Sequence, residues 1–277
     1  MKQRLITAGV GLLLFFVILF FFETFLFNAV VAILSTLVVY ELLLAYKLTK
    51  HKLLSLLSCT FAALVPMLVT KEKNAINIIA IIVFTGLLFG IALKQHEKIT
   101  IEQIAIVFLI SLVFPFAFTT LIYIRDKFDM AQGLYYTLLI FACAWGADSG
   151  AYFAGRFFGK RKLAPKISPN KTVEGLIGGL ISSVFFVALV TATYYFIMQN
   201  LGVAVIIHYI PLLFISIFGA LVGVVGDLTA SLIKRQCAIK DYGTIMPGHG
   251  GILDRFDSVL FITPFFFVVL QYLTCVS

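Results

Sequence analysis

The stretch SLIKRQCAIKDYGTIMPGHGGILDRFD (Ser231–Asp257) is a polar segment that joins the ends of two apolar runs, 206–233 and 256–274. Its 27 residues include four basic residues, three aspartates, one histidine and four glycines. Apolar runs of this length cross a bilayer as α-helices, so the flanks predict the fold. Polar groups at a membrane edge are costly unless they bind something, which makes the segment a candidate site. Bases, carboxylates and glycines together suit phosphates held with metal ions.

The rest of the chain is also strongly apolar. Of its 277 residues, 61% are hydrophobic and only 12% are charged, a composition typical of integral membrane proteins. The predicted fold class is all-α, a polytopic transmembrane helical bundle, because helices satisfy their own backbone groups in hydrocarbon. The first run resembles a signal peptide, but its length and the lack of a small-residue cleavage site favour a retained span. About nine spans can be drawn: 5–22, 25–46, 53–70, 75–93, 101–124, 133–155, 173–199, 206–233 and 256–274.

Lysine and arginine are distributed unevenly between the two sides of this bundle. If the connections alternate sides, 17 of the 21 basic residues lie on the side of the N-terminus. The positive-inside rule then predicts a cytoplasmic N-terminus and two long cytoplasmic loops, 156–172 and 234–255. We expect N-terminal transmembrane helices at 1–130 and a C-terminal catalytic region with both loops at 131–277. The net charge of +8 fits a surface next to anionic lipid, and nucleic-acid binding is not expected.

One aspartate, Asp227, lies inside the apolar run 206–233. Its spacing of i, i+4 and i+7 puts it on one helical face with Ser231 and Lys234. A lone carboxylate there is destabilised by desolvation, so we expect a bound cation, or Lys234 and Arg235, to keep it ionised. The alternative is a structural Asp–Lys ion pair that binds no ligand.

The segment MPGHGG (246–251) predicts a sharp turn whose N–H groups are free to face phosphate oxygens. Such a turn could bring Asp254 opposite the aspartate of the preceding run, where two carboxylates and phosphate oxygens could hold one or two cations. His249 could contact phosphate, although a structural role is commoner for any single loop histidine. Asp257, at the predicted start of the last helix, is either a site residue or a partner of Arg255.

The polar segment resembles the signature of phosphatidate cytidylyltransferases, also called CDP-diacylglycerol synthases. That signature has a serine and a K-R pair, then K-D, then P-x-H-G-G-x-x-D-R-x-D. More than ten positions match it at fixed spacing, which identifies the chain by resemblance as a member of this family. The matching residues are Ser231, Lys234, Arg235, Lys240, Asp241, Pro247, His249, Gly250, Gly251, Asp254, Arg255 and Asp257.

A second polar stretch, WGADSGAYFAGRFFGKRKLAPKISPNKTVEGLIGG (145–179), is similar to the other polar stretch of that family. Without the family, 160–171 is an ordinary basic loop, and this alternative stays open for each lysine. Glycines at the start of the next run predict close helix packing. The remaining intramembrane acid, Glu41, is expected to snorkel to the cytoplasmic interface. The resemblance implies substrate-binding roles for Asp148, Tyr152, Lys160, Ser168, Lys171, Thr172 and Glu174.

The resemblance implies transfer of CMP from CTP to phosphatidic acid in the bilayer, giving CDP-diacylglycerol and pyrophosphate. It implies Mg2+ at Asp227 and Asp254, with K+ as a second cation, and a homodimer. The location implied is a bacterial-type inner membrane, with the active site facing the cytoplasm. Further catalytic roles are implied for Lys234, Arg235, Lys240, Asp241 and Arg255, and substrate-binding roles for Ser231, His249, Gly250, Gly251 and Asp257.

Two other classes of protein remain open on the sequence alone. A transporter of anionic solutes would also carry intramembrane carboxylates and basic helix ends, and it predicts flux without CTP turnover. Another lipid-head-group enzyme would use the same metal chemistry. However, the chain lacks the D-G-x-x-A-R motif of CDP-alcohol phosphotransferases and the N-D-x-x-D motif of polyprenyl transferases. A cytidylyltransferase with a different lipid acceptor also fits, because the lipid-facing spans carry no readable acyl code.

Overall fold

The structure is a computed structural model that describes the backbone of residues 2–69, 74–245 and 250–277, and the side chains of 9–69, 76–245 and 250–277. Within these ranges the chain forms nine α-helices, which confirms the all-α prediction. A 3-10 helix, Leu48–Lys50, lies between the second and third. The helices are α1 (Lys2–Phe20), α2 (Phe25–Ala45), α3 (Lys52–Met67), α4 (Asn74–Lys94), α5 (Ile101–Lys127), α6 (Met130–Phe158), α7 (Val173–Asn200), α8 (Tyr209–Gln236) and α9 (Leu253–Val269).

Six of these helices are long and apolar enough to cross a bilayer, namely α2, α4 from Ile76 onward, α5, α6, α7 and α8. Two shorter apolar helical stretches, Gly9–Phe20 and Lys52–Met67, lie in α1 and α3. The chain is therefore a multi-pass integral membrane protein. Each of the nine predicted spans coincides with one helix, whereas the number that cross the bilayer and the side of the N-terminus stay predictions.

Several predicted boundaries were wrong, and each error has a local cause. Residues 206–208 do not begin α8, because Ile206 and His208 make backbone hydrogen bonds with Ser277 and Cys275. The helix α6 continues through Phe158 and α8 through Gln236, so both extend into the predicted loops. At the other end of the second loop, α9 begins at Leu253 instead of 256. The non-helical polar segments are therefore 159–172 and 237–252.

The first of these segments contains a β-hairpin that the sequence did not predict. Strand β1 (Lys162–Ala164) pairs antiparallel with β2 (Ser168–Thr172), with a register irregularity between the two ends of β1. The strand β2 leads directly into α7. Thr172 is the N-cap of that helix, and its side-chain oxygen accepts a hydrogen bond from the Gly175 N–H at 3.0 Å. The cap fixes the direction in which the hairpin leaves the helix.

The chain divides into two compact units. The first unit comprises Met1–Tyr123 and Gln236–Arg255, so the second polar segment groups with the N-terminal helices. In this unit α2 packs against α3, and the Asn28 amide donates to the carbonyl oxygen of Pro66 at 3.1 Å. The second unit comprises Ile124–Arg235 and Phe256–Ser277.

Helices α6 and α7 of the second unit pack closely through small residues, as the sequence predicts. A Cβ atom added to Gly178 would overlap the Ala154 side chain, and one added to Gly179 would lie 2.8 Å from the Ala147 carbonyl oxygen. Such a close approach lets van der Waals contact hold helices together where lipid removes the hydrophobic driving force. It also places the start of α7, and with it the hairpin, against α6.

We expect Gly178→Ala to destabilise the protein by about 1–3 kcal/mol, because the added methyl group overpacks the contact between α6 and α7. Gly86→Ala is the matched control, since nothing lies within 4 Å of a Cβ added at that position of α4. Thermal unfolding in detergent measures both variants. Equal stability of the two would contradict the close packing at Gly178.

Candidate functional site

A pocket of about 250 Å3 lies within the second unit, between α6, β2, α7 and α8. Asp148 and Tyr152 come from one face of α6, Lys171 and Thr172 from the end of β2, and Asp227 from α8. Five predicted site residues therefore share one cavity. Its remaining lining residues are Ala151, Leu163, Asn170, Gly175, Leu176 and Val224. Asn170 was not among the predicted residues, and its only sequence signal is a polar side chain beside Lys171.

Asp227 forms an ion pair with Lys171, in which the Lys171 ammonium meets Oδ2 of the carboxylate. The side chains are 27% and 23% exposed, so both charges are largely removed from water. On the same helix, Ser231 is buried and its hydroxyl donates to Oδ1 of Asp227 at 3.4 Å. The sequence led us to expect a bound cation, or Lys234 and Arg235, beside this carboxylate. The positive charge that pairs with Asp227 comes instead from Lys171 of β2.

Two further carboxylates lie in the same unit. Asp257, in the second turn of α9, is close enough to Asp227 and Asp148 for their negative charges to act on it, and Lys234 supplies an opposing positive charge. The Ser258 hydroxyl donates to the Asp148 carboxylate at 3.4 Å. Like charges gathered in a partly buried region are mutually unfavourable. The cluster therefore favours binding of positive charge beyond Lys171.

Other predicted site residues hold the hairpin in place. The Glu174 carboxylate accepts the N–H groups of Lys160 at 3.0 Å and Arg161 at 3.1 Å, just before β1. The guanidinium of Arg235 donates through Nε to the carbonyl oxygen of Ile167 at 3.2 Å, in the hairpin turn. These contacts are structural, and they leave the exposed side chain of Lys160 available to a ligand. Ser168 lies at the first position of β2.

In the first unit, Asp254 organises the turn that precedes α9. Its Oδ2 accepts the backbone N–H groups of Tyr242 at 2.9 Å and Gly251 at 3.0 Å. Gly250 has a φ of +86°, a conformation that favours glycine, whereas most of the predicted turn, residues 246–249, lies outside the described part of the chain. Lys240 and Asp241 are exposed in the same segment. His249 and Pro247 lie outside the described residues, as do Met246 and Gly248.

The prediction for Glu41 was wrong. Its side chain does not extend to the surface, as snorkelling requires, but is buried in the first unit, with 1% of its surface exposed. Its carboxylate accepts the N–H groups of Ile252 at 2.8 Å and Leu253 at 2.9 Å. The sequence signal was present, since Glu41 is an acid inside an apolar run. Its partners could not be read from the sequence because they lie more than 200 residues away.

The donor atoms around Asp227 fit the implied Mg2+. Among the described residues, no group of three or more His, Cys, Asp or Glu side chains could hold a metal ion without further ligands. Mg2+ does not require such a group, because it is usually bound by one or two carboxylates together with waters and substrate phosphates. The Asp227 carboxylate already attracts a cation, and Ser231 beside it and Asp148 in the same pocket offer further oxygen atoms, which suit Mg2+.

Known proteins of similar sequence show the family of this chain. The sequence profile of the cytidylyltransferase family matches residues 2–273. A phosphatidate cytidylyltransferase of Bacillus subtilis is 36% identical over 281 aligned residues, which cover 98% of this chain and 97% of that protein. The chain belongs to the cytidylyltransferase family. A phosphatidate cytidylyltransferase of Staphylococcus aureus is 34% identical over 76% of the chain and 88% of its own length. One of Haemophilus influenzae is 46% identical over 50% of the chain and 46% of its own length.

Two substitutions of Asp254 distinguish the hydrogen bonds that its side chain accepts from the negative charge that it carries. Asp254→Asn keeps an oxygen that can accept both N–H groups, so its unfolding free energy should stay within about 1 kcal/mol of the wild type. Asp254→Ala leaves both donors without that partner and should lose about 1–3 kcal/mol. Denaturant unfolding in detergent measures the difference. Equal losses in the two variants would show that these hydrogen bonds do not close the turn.

Proposed function

We propose that this membrane protein transfers CMP from CTP to phosphatidic acid, giving CDP-diacylglycerol and pyrophosphate. The observation that carries the proposal is the pocket in which Asp148, Lys171 and Asp227 converge. Its volume is below the roughly 300–1,000 Å3 of pockets that enclose a whole small molecule. It therefore suits the phosphate groups of the substrates, leaving the acyl chains in the bilayer. Membership of the cytidylyltransferase family and the names of the related proteins support the same activity.

The reaction requires little covalent chemistry from the protein. A phosphate oxygen of phosphatidic acid forms a bond to the α-phosphorus of CTP, the bond from that phosphorus to the bridging oxygen breaks, and pyrophosphate leaves with the electron pair. The nucleophile is already anionic, so the protein has to align the two phosphates and neutralise their charge. Lys171 and Lys234 of the second unit are suited to neutralisation. In the first unit, Lys240 and Arg255 retain the same role as predictions.

Mg2+, when bound, supplies charge stabilisation to the phosphoryl oxygens. In the second unit we assign Asp227 as its ligand, with Ser231 next to it on α8. The sequence-based assignment of Asp254 as a second ligand stays a prediction, as does the role of K+. A cytoplasmic active-site face, an inner-membrane location and a homodimer belong to the proposal on the strength of charge distribution and family resemblance.

Incubation of the purified protein with labelled CTP, Mg2+ and phosphatidic acid tests the activity. We expect CDP-diacylglycerol and pyrophosphate in equal amounts, and a loss of about 100-fold or more in Asp227→Asn. Asp129→Asn is the matched control, because Asp129 is the N-cap of α6 and asparagine caps a helix equally well. Absence of CDP-diacylglycerol with the wild type would contradict the proposal, and anion flux into vesicles without CTP turnover would indicate a transporter.

The ion pair at Asp227 generates a separate prediction about metal affinity. Lys171 and Mg2+ compete for the same carboxylate, so Lys171→Met should bind Mn2+, as a probe for Mg2+, about two- to fivefold more tightly without CTP. Lys166→Met, in the exposed hairpin turn, should leave that affinity unchanged. Electron paramagnetic resonance of free Mn2+ measures both. Unchanged affinity in Lys171→Met would exclude competition at Asp227.

A further inference from the structure

A buried carboxylate holds the start of α9 within the first unit. Glu41 lies near the end of α2, and each of its two oxygens accepts one backbone N–H group, Oε1 from Ile252 and Oε2 from Leu253. The first N–H groups of a helix have no partner inside the helix and carry partial positive charge. Glu41 thus supplies the N-terminal cap of α9 from a helix distant in sequence.

The surroundings of Glu41 are shaped to accept this carboxylate. A Cβ atom added to Gly251 would lie 2.5 Å from Oε1, and one added to Gly243 would lie 2.9 Å from the same oxygen. Side-chain atoms are essentially never that close, so any other residue at either position would displace the carboxylate or the backbone. Directly before Gly243, Tyr242 is 2% exposed and donates its N–H to Asp254.

The contacts link Glu41 to the polar segment whose residues carry the family signature. Leu253, which Glu41 binds, directly precedes Asp254, and Asp254 in turn binds Gly251 and Tyr242. Loss of the Glu41 carboxylate would leave two N–H groups at the start of α9 without their acceptor. It would also loosen the backbone that the Asp254 carboxylate holds. A displacement of about 1 Å in a positioned group can reduce a rate about 100-fold.

We propose that Glu41 is a positioning residue for CMP transfer, which fixes the start of α9 and with it Asp254, without touching substrate. The proposal rests on the proposed function for its kinetic consequence only. Its structural part concerns the hydrogen bonds of two named amides, which can be measured without any substrate.

Hydrogen exchange of the purified protein in detergent tests the structural part. In Glu41→Gln one N–H group faces an amide NH2 instead of an oxygen, so the Ile252 and Leu253 amides should exchange about tenfold faster or more. Gly243→Ala keeps Glu41 but crowds its carboxylate, and it should accelerate the same amides. Leu43→Ala is the control, because Leu43 is buried on the opposite face of α2, two residues from Glu41. It should lower thermal stability without selective exchange at 252–253.

The kinetic part is tested by measuring kcat and KM separately, because a positioning residue should affect kcat much more than KM. Glu41→Gln and Gly243→Ala should lower kcat about 10- to 100-fold, with the KM for phosphatidic acid within about twofold of the wild type. Leu43→Ala should retain kcat per folded molecule. Unchanged exchange at 252–253 in Glu41→Gln, or an equal loss of kcat in Leu43→Ala, would overturn the proposal. If the wild type shows no CMP transfer, the proposed function fails, while the exchange data still decide whether Glu41 fixes the start of α9.

Discussion

The ion pair between Lys171 and Asp227 is the interaction on which the pocket of the second unit depends. A carboxylate in an apolar helix loses its solvation, and an opposite charge is the strongest compensation available there. Because Lys171 lies at the end of β2, the pair joins the hairpin to α8. The hydrogen bond from Arg235 to the hairpin turn adds a second link. The position of Lys171 in turn relies on the close packing of α6 and α7, since β2 continues into α7 through the cap at Thr172.

The first unit satisfies its carboxylates in a different way. Glu41 and Asp254 accept backbone N–H groups around the start of α9. Helix N-termini and turns provide such donors already oriented, so the carboxylates are stabilised while they fix the backbone. In this unit the acids order a loop, whereas in the second unit they surround a pocket. Acidic residues of the same chain therefore have distinct physical roles.

The sequence predicted the nine helices well because a span needs only length and hydrophobicity, which are local properties. It did not predict the hairpin, whose polar strands are too short to show alternation and depend on Glu174 and Arg235 for their position. The start of α9 was placed three residues too late, because its cap is Glu41 and not a residue near 252. For the site, residue type and helical spacing indicated Asp227, and the resemblance to the family implied Asp148, Tyr152 and Lys171. The pairing of Lys171 with Asp227 depends on tertiary structure and could not be predicted.

The charges of the second unit also support a bound metal ion, and this argument is independent of the family signature. Asp148 and Asp227 line the pocket and Asp257 lies near them, against Lys171 and Lys234. A triphosphate and a lipid phosphate would add further negative charge, and these carboxylates would repel them. Under the proposed function, binding would require additional positive charge between carboxylate and phosphate oxygens, which a divalent cation would provide at short range. Because an excess of carboxylates would be a defect in a pocket that binds phosphate alone, this excess supports the proposed metal ion at Asp227.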